Sequence, residues 1–225
     1  MSSSLYAFIL TSLAAMSTLF GTFFIFFNFQ NKKLIIKSSL FLAAIIMIFV
    51  SVFSLIPESI NYLLYYLKLF PGICFCIIFF TIGIIISFLI NNFIELKVKK
   101  QVLYKVGLSS MVAIILHNIP EGIATFMASS KNITLGLSLS IAIFLHNIPE
   151  GISIAIPIYY STNSKFKACL FTFISALAEP LGALVSYLFL ASFINNFIMG
   201  LILSLVAGIM LHISFYELIP TALTY

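Results

Sequence analysis

Seven long apolar stretches leave this chain few folds to choose from. They run roughly 5–27, 34–56, 71–93, 105–129, 133–160, 167–190 and 196–219. A helix needs about 20 mostly apolar residues to cross a bilayer. Each stretch meets that length, and the linkers between them are short and hold most of the Lys and Asn. Only 8% of residues are charged, against about 25% in a soluble domain. The expectation is an all-α, polytopic transmembrane helical bundle of seven spans, with residues 1–225 forming one membrane domain. Backbone polar groups in lipid must be satisfied within the segment, which favours helices over open sheets.

Charge placement predicts orientation. All eleven cationic residues are Lys. Lys32, Lys33, Lys37, Lys97, Lys99, Lys100, Lys105, Lys165 and Lys167 fall in or beside alternate linkers, hence on one side. Only Lys68 and Lys131 fall on the other. The positive-inside rule puts the nine in the cytoplasm and the N-terminus outside, in a cell (plasma or inner) membrane. The net charge of +5 is thus a topology signal rather than a sign of nucleic-acid binding. The linker from 94 to 105 reads as a solvated loop, with Glu95 inside it. Cys74, Cys76 and Cys169 read as apolar packing residues.

The acids are less ordinary. All six are Glu, and five of them (Glu58, Glu121, Glu150, Glu179 and Glu217) lie within three residues of a Pro. Glu121, Glu150 and Glu179 fall well inside spans. A charged side chain at mid-bilayer costs roughly 2.5–3.5 kcal/mol on insertion scales, so such residues mark ion pathways by default. Glu58 and Glu217 sit near span ends, where a structural or water-exposed role is expected. His212 is five residues before Glu217, about 140° away on an α-helix, and reads as packing or a hydrogen bond.

Two of these acids belong to a repeat. Leu116-His117-Asn118-Ile119-Pro120-Glu121-Gly122-Ile123 recurs letter for letter as Leu145-His146-Asn147-Ile148-Pro149-Glu150-Gly151-Ile152, a shift of 29 residues. On a helix the His and the Glu four residues later share a face, and the Asn lies close enough to join it. Pro120 and Pro149 each leave a carbonyl without its helical partner, at Leu116 and Leu145. Gly122 and Gly151 let another backbone approach. The two spans run antiparallel, so both copies can face each other at one depth, and Glu179 can join from the next span. Imidazole with carboxylate suits Zn²⁺, Fe²⁺, Mn²⁺ or Co²⁺, whereas Mg²⁺ and Ca²⁺ prefer oxygen alone. The candidate metal ligands are therefore His117, Asn118, Glu121, His146, Asn147, Glu150 and Glu179.

The doubled motif resembles that of the ZIP (Zrt/Irt-like) divalent-metal transporters, bacterial branch. The likeness extends to Leu55-Ile56-Pro57-Glu58, Ala178-Glu179-Pro180 and Glu217-Leu218-Ile219-Pro220. It implies that the seven ligands form a two-metal transport site and that metal is cargo rather than cofactor. It also implies uptake into the cytoplasm, Zn²⁺ favoured with tolerance of ions such as Fe²⁺, Mn²⁺, Co²⁺ and Cd²⁺, and a homodimer. Spans one, four, five and six would move against the others. The family pattern has eight spans with both ends outside, one more than this chain shows. No enzyme is expected: a zinc protease would want H-E-x-x-H, which is absent. The rival readings are a membrane metalloenzyme and a proton-coupled carrier using the same Glu.

Orientation is checked by labelling. In a protein whose native Cys are replaced, Lys33→Cys should react with a membrane-impermeant thiol reagent from the cytoplasmic side and Lys68→Cys from the opposite side.

Overall fold

The computed structural model describes residues 3–27, 29–97, 102–190 and 195–225. Among them are seven helices long and apolar enough to cross a membrane, and no strand. We number them α1 (Ser3–Phe26), α2 (Lys32–Leu64), α3 (Leu69–Lys97), α4 (Val102–Ser130), α5 (Gly136–Thr162), α6 (Lys165–Leu188) and α7 (Asn196–Thr224). The expected all-α membrane bundle is the observed one. Lys99 and Lys100, and the side chain of Lys131, lie outside the described residues.

The helices outrun some of the apolar stretches that signal them. Glu95 is not in a solvated loop: it sits in the last turn of α3, and Lys105 sits in the first turn of α4. The two form an ion pair at 2.8 Å. Hydrophobic length reports the thickness of the apolar layer, whereas helical hydrogen bonding continues until a residue stops it. Asn31, Ser164 and Asn195 mark three helix starts, each accepting a hydrogen bond from the backbone N–H three residues later.

Proline divides the helices into two kinds. α2 carries Ser51-Val52-Phe53-Ser54-Leu55-Ile56-Pro57 and α7 carries Ser214-Phe215-Tyr216-Glu217-Leu218-Ile219-Pro220. In both, the five residues before the Ile form a π-turn. The Ile56 N–H reaches back to the Ser51 carbonyl, and the Ile219 N–H to that of Ser214. Proline cannot supply the next helical bond, and the wider turn takes up the misfit. The Ser at the head of each turn bonds back to a carbonyl four residues earlier, Met47 or Met210. α6 breaks instead at Leu177, three residues before Pro180. Pro120 and Pro149 sit within uninterrupted helix.

Packing sorts the helices into two groups. Bundles in lipid lack a hydrophobic drive between helices, so close backbone approach at small residues carries much of the association. A Cβ on Gly83 would strike the Leu205 carbonyl of α7, and one on Gly208 would strike the Phe80 carbonyl of α3. Gly21 of α1 lies against Gly151 of α5, and Gly122 of α4 against the Glu179 carbonyl of α6. Each of the ten glycines makes its closest approach inside one of two sets: α1, α4, α5 and α6, or α2, α3 and α7. Between the sets, contact is made by larger side chains such as Leu40 and Met47 of α2 and Ile154 and Ile158 of α5, all in the main apolar core.

Gly83→Ala forces a methyl group into backbone. It should destabilise the protein by about 1–3 kcal/mol, read as a lower Tm in detergent.

Candidate metal site

The two motif copies interlock. His117 Nε2 lies 3.5 Å from Glu121 Oε2, one turn along α4, as the spacing of the motif requires. It also lies 3.4 Å from Glu150 Oε1 on α5. His146 turns away from the Glu of its own copy and toward the other, with Nε2 2.9 Å from Glu121 Oε1. The two imidazole rings are 6.0 Å apart. Ligand atoms of His117, Glu121 and His146 all lie within 4.8 Å of one another, close enough for one ion to reach all three.

The asparagines hold the flanking helices. Asn118 donates its amide to the Ser175 carbonyl of α6 at 3.3 Å. Asn147 donates to the Ala14 carbonyl of α1 at 3.2 Å and to Glu179 Oε2 at 3.0 Å. Four residues past each Asn, the motif glycine meets the same flanking helix four residues further on. Gly122 meets Glu179, and Gly151 meets Thr18. Each copy thus clamps one neighbour by an Asn–carbonyl bond and a glycine contact, α4 on α6 and α5 on α1. With their N–H groups committed to carbonyls or to Glu179, both asparagines turn their Oδ1 atoms elsewhere.

Where those atoms point decides the chemistry. Buried polar atoms normally find partners, because one left unmatched costs about 1–3 kcal/mol. Here eight buried atoms lack a hydrogen-bond partner among the described residues: His117 Nε2, Asn118 Oδ1, Glu121 Oε2, His146 Nε2, Asn147 Oδ1, both carboxylate oxygens of Glu150, and Glu179 Oε1. Every other unmatched buried side-chain atom is a Ser or Thr hydroxyl. All seven residues singled out from the sequence are in this set. Each contributes a lone-pair donor, and among the described residues the Lys–Glu ion pairs involve Glu95 and Glu217 rather than these carboxylates.

Access comes from one end. A cavity of about 600 Å³ lies between the two helix sets. α2 lines it from Ile46 to Glu58, α4 from His117 to Thr125, α5 from Leu139 to His146, and α7 at Leu203 and Val206. All four segments lie on the half of the bundle away from the Lys-rich linkers. His117, Glu121 and His146 form its floor, while Glu150 and Glu179 sit behind them, at 1% and 0% exposure. Glu58 is exposed near the mouth.

Comparison with known proteins gives the family. Residues 97–225 match the family model described as ZIP Zinc transporter. The zinc transporter ZupT of Clostridium perfringens is 35% identical, the alignment covering 100% of this chain and 89% of that protein. ZupT of Streptococcus mutans is 39% identical over 97% of this chain and 88% of its own length. ZupT of Chlorobium chlorochromatii is 39% identical, with 98% and 89% covered.

The chain belongs to the ZIP family.

It is a bacterial-type ZIP protein, a multi-pass membrane transporter rather than an enzyme. Sequence reasoning did not identify the partners that orient this ZIP site: the backbone at Ala14, Thr18 and Ser175. The signal present was the motif glycine, which announces a close neighbour without naming it. Glu58 and Glu217 part company. Glu58 opens to the cavity, whereas Glu217 is buried at the Lys-rich end, 3.4 Å from Lys105. His212 bonds Ser87 at 2.9 Å and stacks on Tyr216, on the α3–α7 seam.

Unmatched buried acceptors cost stability in the metal-free protein. Glu150→Gln, which adds N–H donors at constant size, should raise the metal-free Tm in detergent by the equivalent of about 1 kcal/mol, while reducing the Tm rise on adding Zn²⁺.

Proposed function

We propose that this ZIP protein carries divalent transition-metal ions, Zn²⁺ foremost with Fe²⁺, Mn²⁺, Co²⁺ and Cd²⁺ as further substrates, into the cytoplasm. The observation that carries this reading is the set of eight unmatched buried donor atoms. Two imidazoles, two amide oxygens and three carboxylates are a mixed nitrogen–oxygen set suited to borderline ions such as Zn²⁺. The names of the ZupT relatives point to the same substrate.

Metal enters the cavity from the side opposite the Lys-rich linkers, attracted by Glu58, and exchanges water for His117, Glu121 and His146. Glu150 bridges inward to a second position formed with Asn118, Asn147 and Glu179. Three carboxylates offset most of the charge of two divalent ions, which lowers the cost of desolvation in the bundle. Transfer then requires the helix set that carries these ligands to shift against α2, α3 and α7. The glycine seams within each set, and the cavity between the sets, support that division. The Lys distribution supports cytoplasmic Lys-rich linkers, an outside N-terminus and insertion in the cell membrane. A homodimer completes the proposal.

Uptake of Zn²⁺ into proteoliposomes tests the site. Glu121→Ala with Glu150→Ala should lower the rate by about a hundredfold or more, each lost ligand being worth on the order of 1.4 kcal/mol, or tenfold. A double variant that transports like the parent would place the pathway elsewhere. The pH dependence has a definite sign. Ligands must be deprotonated to hold metal, so protons compete, and the apparent affinity for Zn²⁺ should fall as the pH of the entry side is lowered. Both are read by stopped-flow fluorescence of an entrapped zinc indicator.

A further inference from the structure

Among the described residues, the polar side-chain bonds Lys105–Glu95, Lys105–Glu217 and Ser109–Asn91 join the two helix sets at one place. Lys105, in the first turn of α4, lies 2.8 Å from Glu95 of α3 and 3.4 Å from Glu217 of α7. One turn on, Ser109 of α4 donates to Asn91 of α3 at 3.2 Å. The other polar bonds between helices described above stay inside one set. Asn118 and Asn147 tie α4 to α6 and α5 to α1. Ser59 of α2 bonds Gly200 and Ser204 of α7, and Ser87 of α3 bonds His212 of α7. The Lys105 cluster sits at the Lys-rich end, opposite the cavity.

Glu95 is exposed, but Lys105 and Glu217 are not ordinary surface charges. The Glu217 side chain is 6% exposed, so removing Lys105 would leave a buried acid with no cation beside it. Its position depends on the π-turn that Pro220 imposes on α7, since Glu217 is the fourth residue of that turn. In α2 the matching turn precedes Glu58 at the cavity mouth. Two related helix ends on the α2, α3 and α7 set therefore place one acid at the open end and one at the closed end.

We propose that Lys105, with Glu95 and Glu217 and supported by Ser109 and Asn91, is a latch that closes the Lys-rich end of the pathway while the opposite cavity is open. It rests on the reading that the two helix sets move against each other. α4 carries His117 and Glu121 above the latch on one rigid helix, so release at Lys105 lets that helix swing from α3 and α7. The same movement narrows the cavity between α2 and α4. The ends are coupled: opening one closes the other.

Hydrogen–deuterium exchange of the purified full chain, without added metal, tests this. In Lys105→Met, backbone exchange across 102–109 and 214–220 should quicken roughly fivefold, the loosening expected of one lost ion pair of about 1 kcal/mol. Exchange across 49–58 and 139–146, which line the cavity, should slow by about twofold as the cavity closes. Glu95→Gln removes only the exposed partner and should shift both regions the same way by less. Lys105→Arg should keep the parent pattern. Faster exchange at the Lys-rich end with unchanged or faster exchange at the cavity, in both Lys105→Met and Glu95→Gln, would mean local fraying and overturn the latch. Because no metal takes part, failure here is distinct from failure of the metal site, which the uptake assay reads.

Discussion

Eight lone-pair donors gathered inside an apolar bundle, with the imidazoles of His117 and His146 set against the carboxylates of Glu121 and Glu150, are the constraint around which this protein is built. Water would satisfy them, but a water-filled centre would not select an ion. Lysine would neutralise the acids, but would exclude a cation. Instead the bundle surrounds the donors with small residues and backbone, and among the described residues the buried Lys–Glu contact, Lys105 with Glu217, lies at the far end of α4. Such a site is costly to the empty protein, and in the proposed function an arriving ion would recover that cost as binding energy.

Holding the donors in place falls to groups that never need to touch metal. In each motif copy the asparagine amide bonds a neighbouring carbonyl and the glycine lets that neighbour in. α1 and α6 are therefore seated in the same way on α5 and α4. The seating is equivalent, but the contribution is not: α6 presents Glu179 where α1 presents Thr18, whose hydroxyl bonds back to Ala15. The third carboxylate thus enters from one side only. It comes to lie against Asn147 of the opposite copy, and the two halves of the repeat are joined there.

Much of this was legible in the sequence. Seven spans follow from apolar length alone, and the seven donors follow from an exact repeat and one further intramembrane Glu. Less legible were features that depend on how a helix deviates from ideal. The His146–Glu150 pair was expected to mirror His117–Glu121, yet His146 faces Glu121, because spacing sets the face of the helix and the side-chain rotamer decides which carboxylate the imidazole meets. Glu95 and Lys105 looked like loop residues, because hydropathy cannot see a helix continuing past the lipid. Glu217 looked like an end-of-span acid. Only the π-turn before Pro220 and the arrival of α4 explain why it is buried and paired.

The central claim is that these imidazoles and oxygens, and not the three cysteines, hold the transported ion. X-ray absorption at the zinc edge of the purified, zinc-loaded protein tests it most directly. The account predicts nitrogen and oxygen neighbours at about 2.0–2.2 Å with imidazole scattering that is lost in His117→Ala with His146→Ala. A sulfur shell at about 2.3 Å, or an imidazole signal unchanged in that double variant, would contradict it.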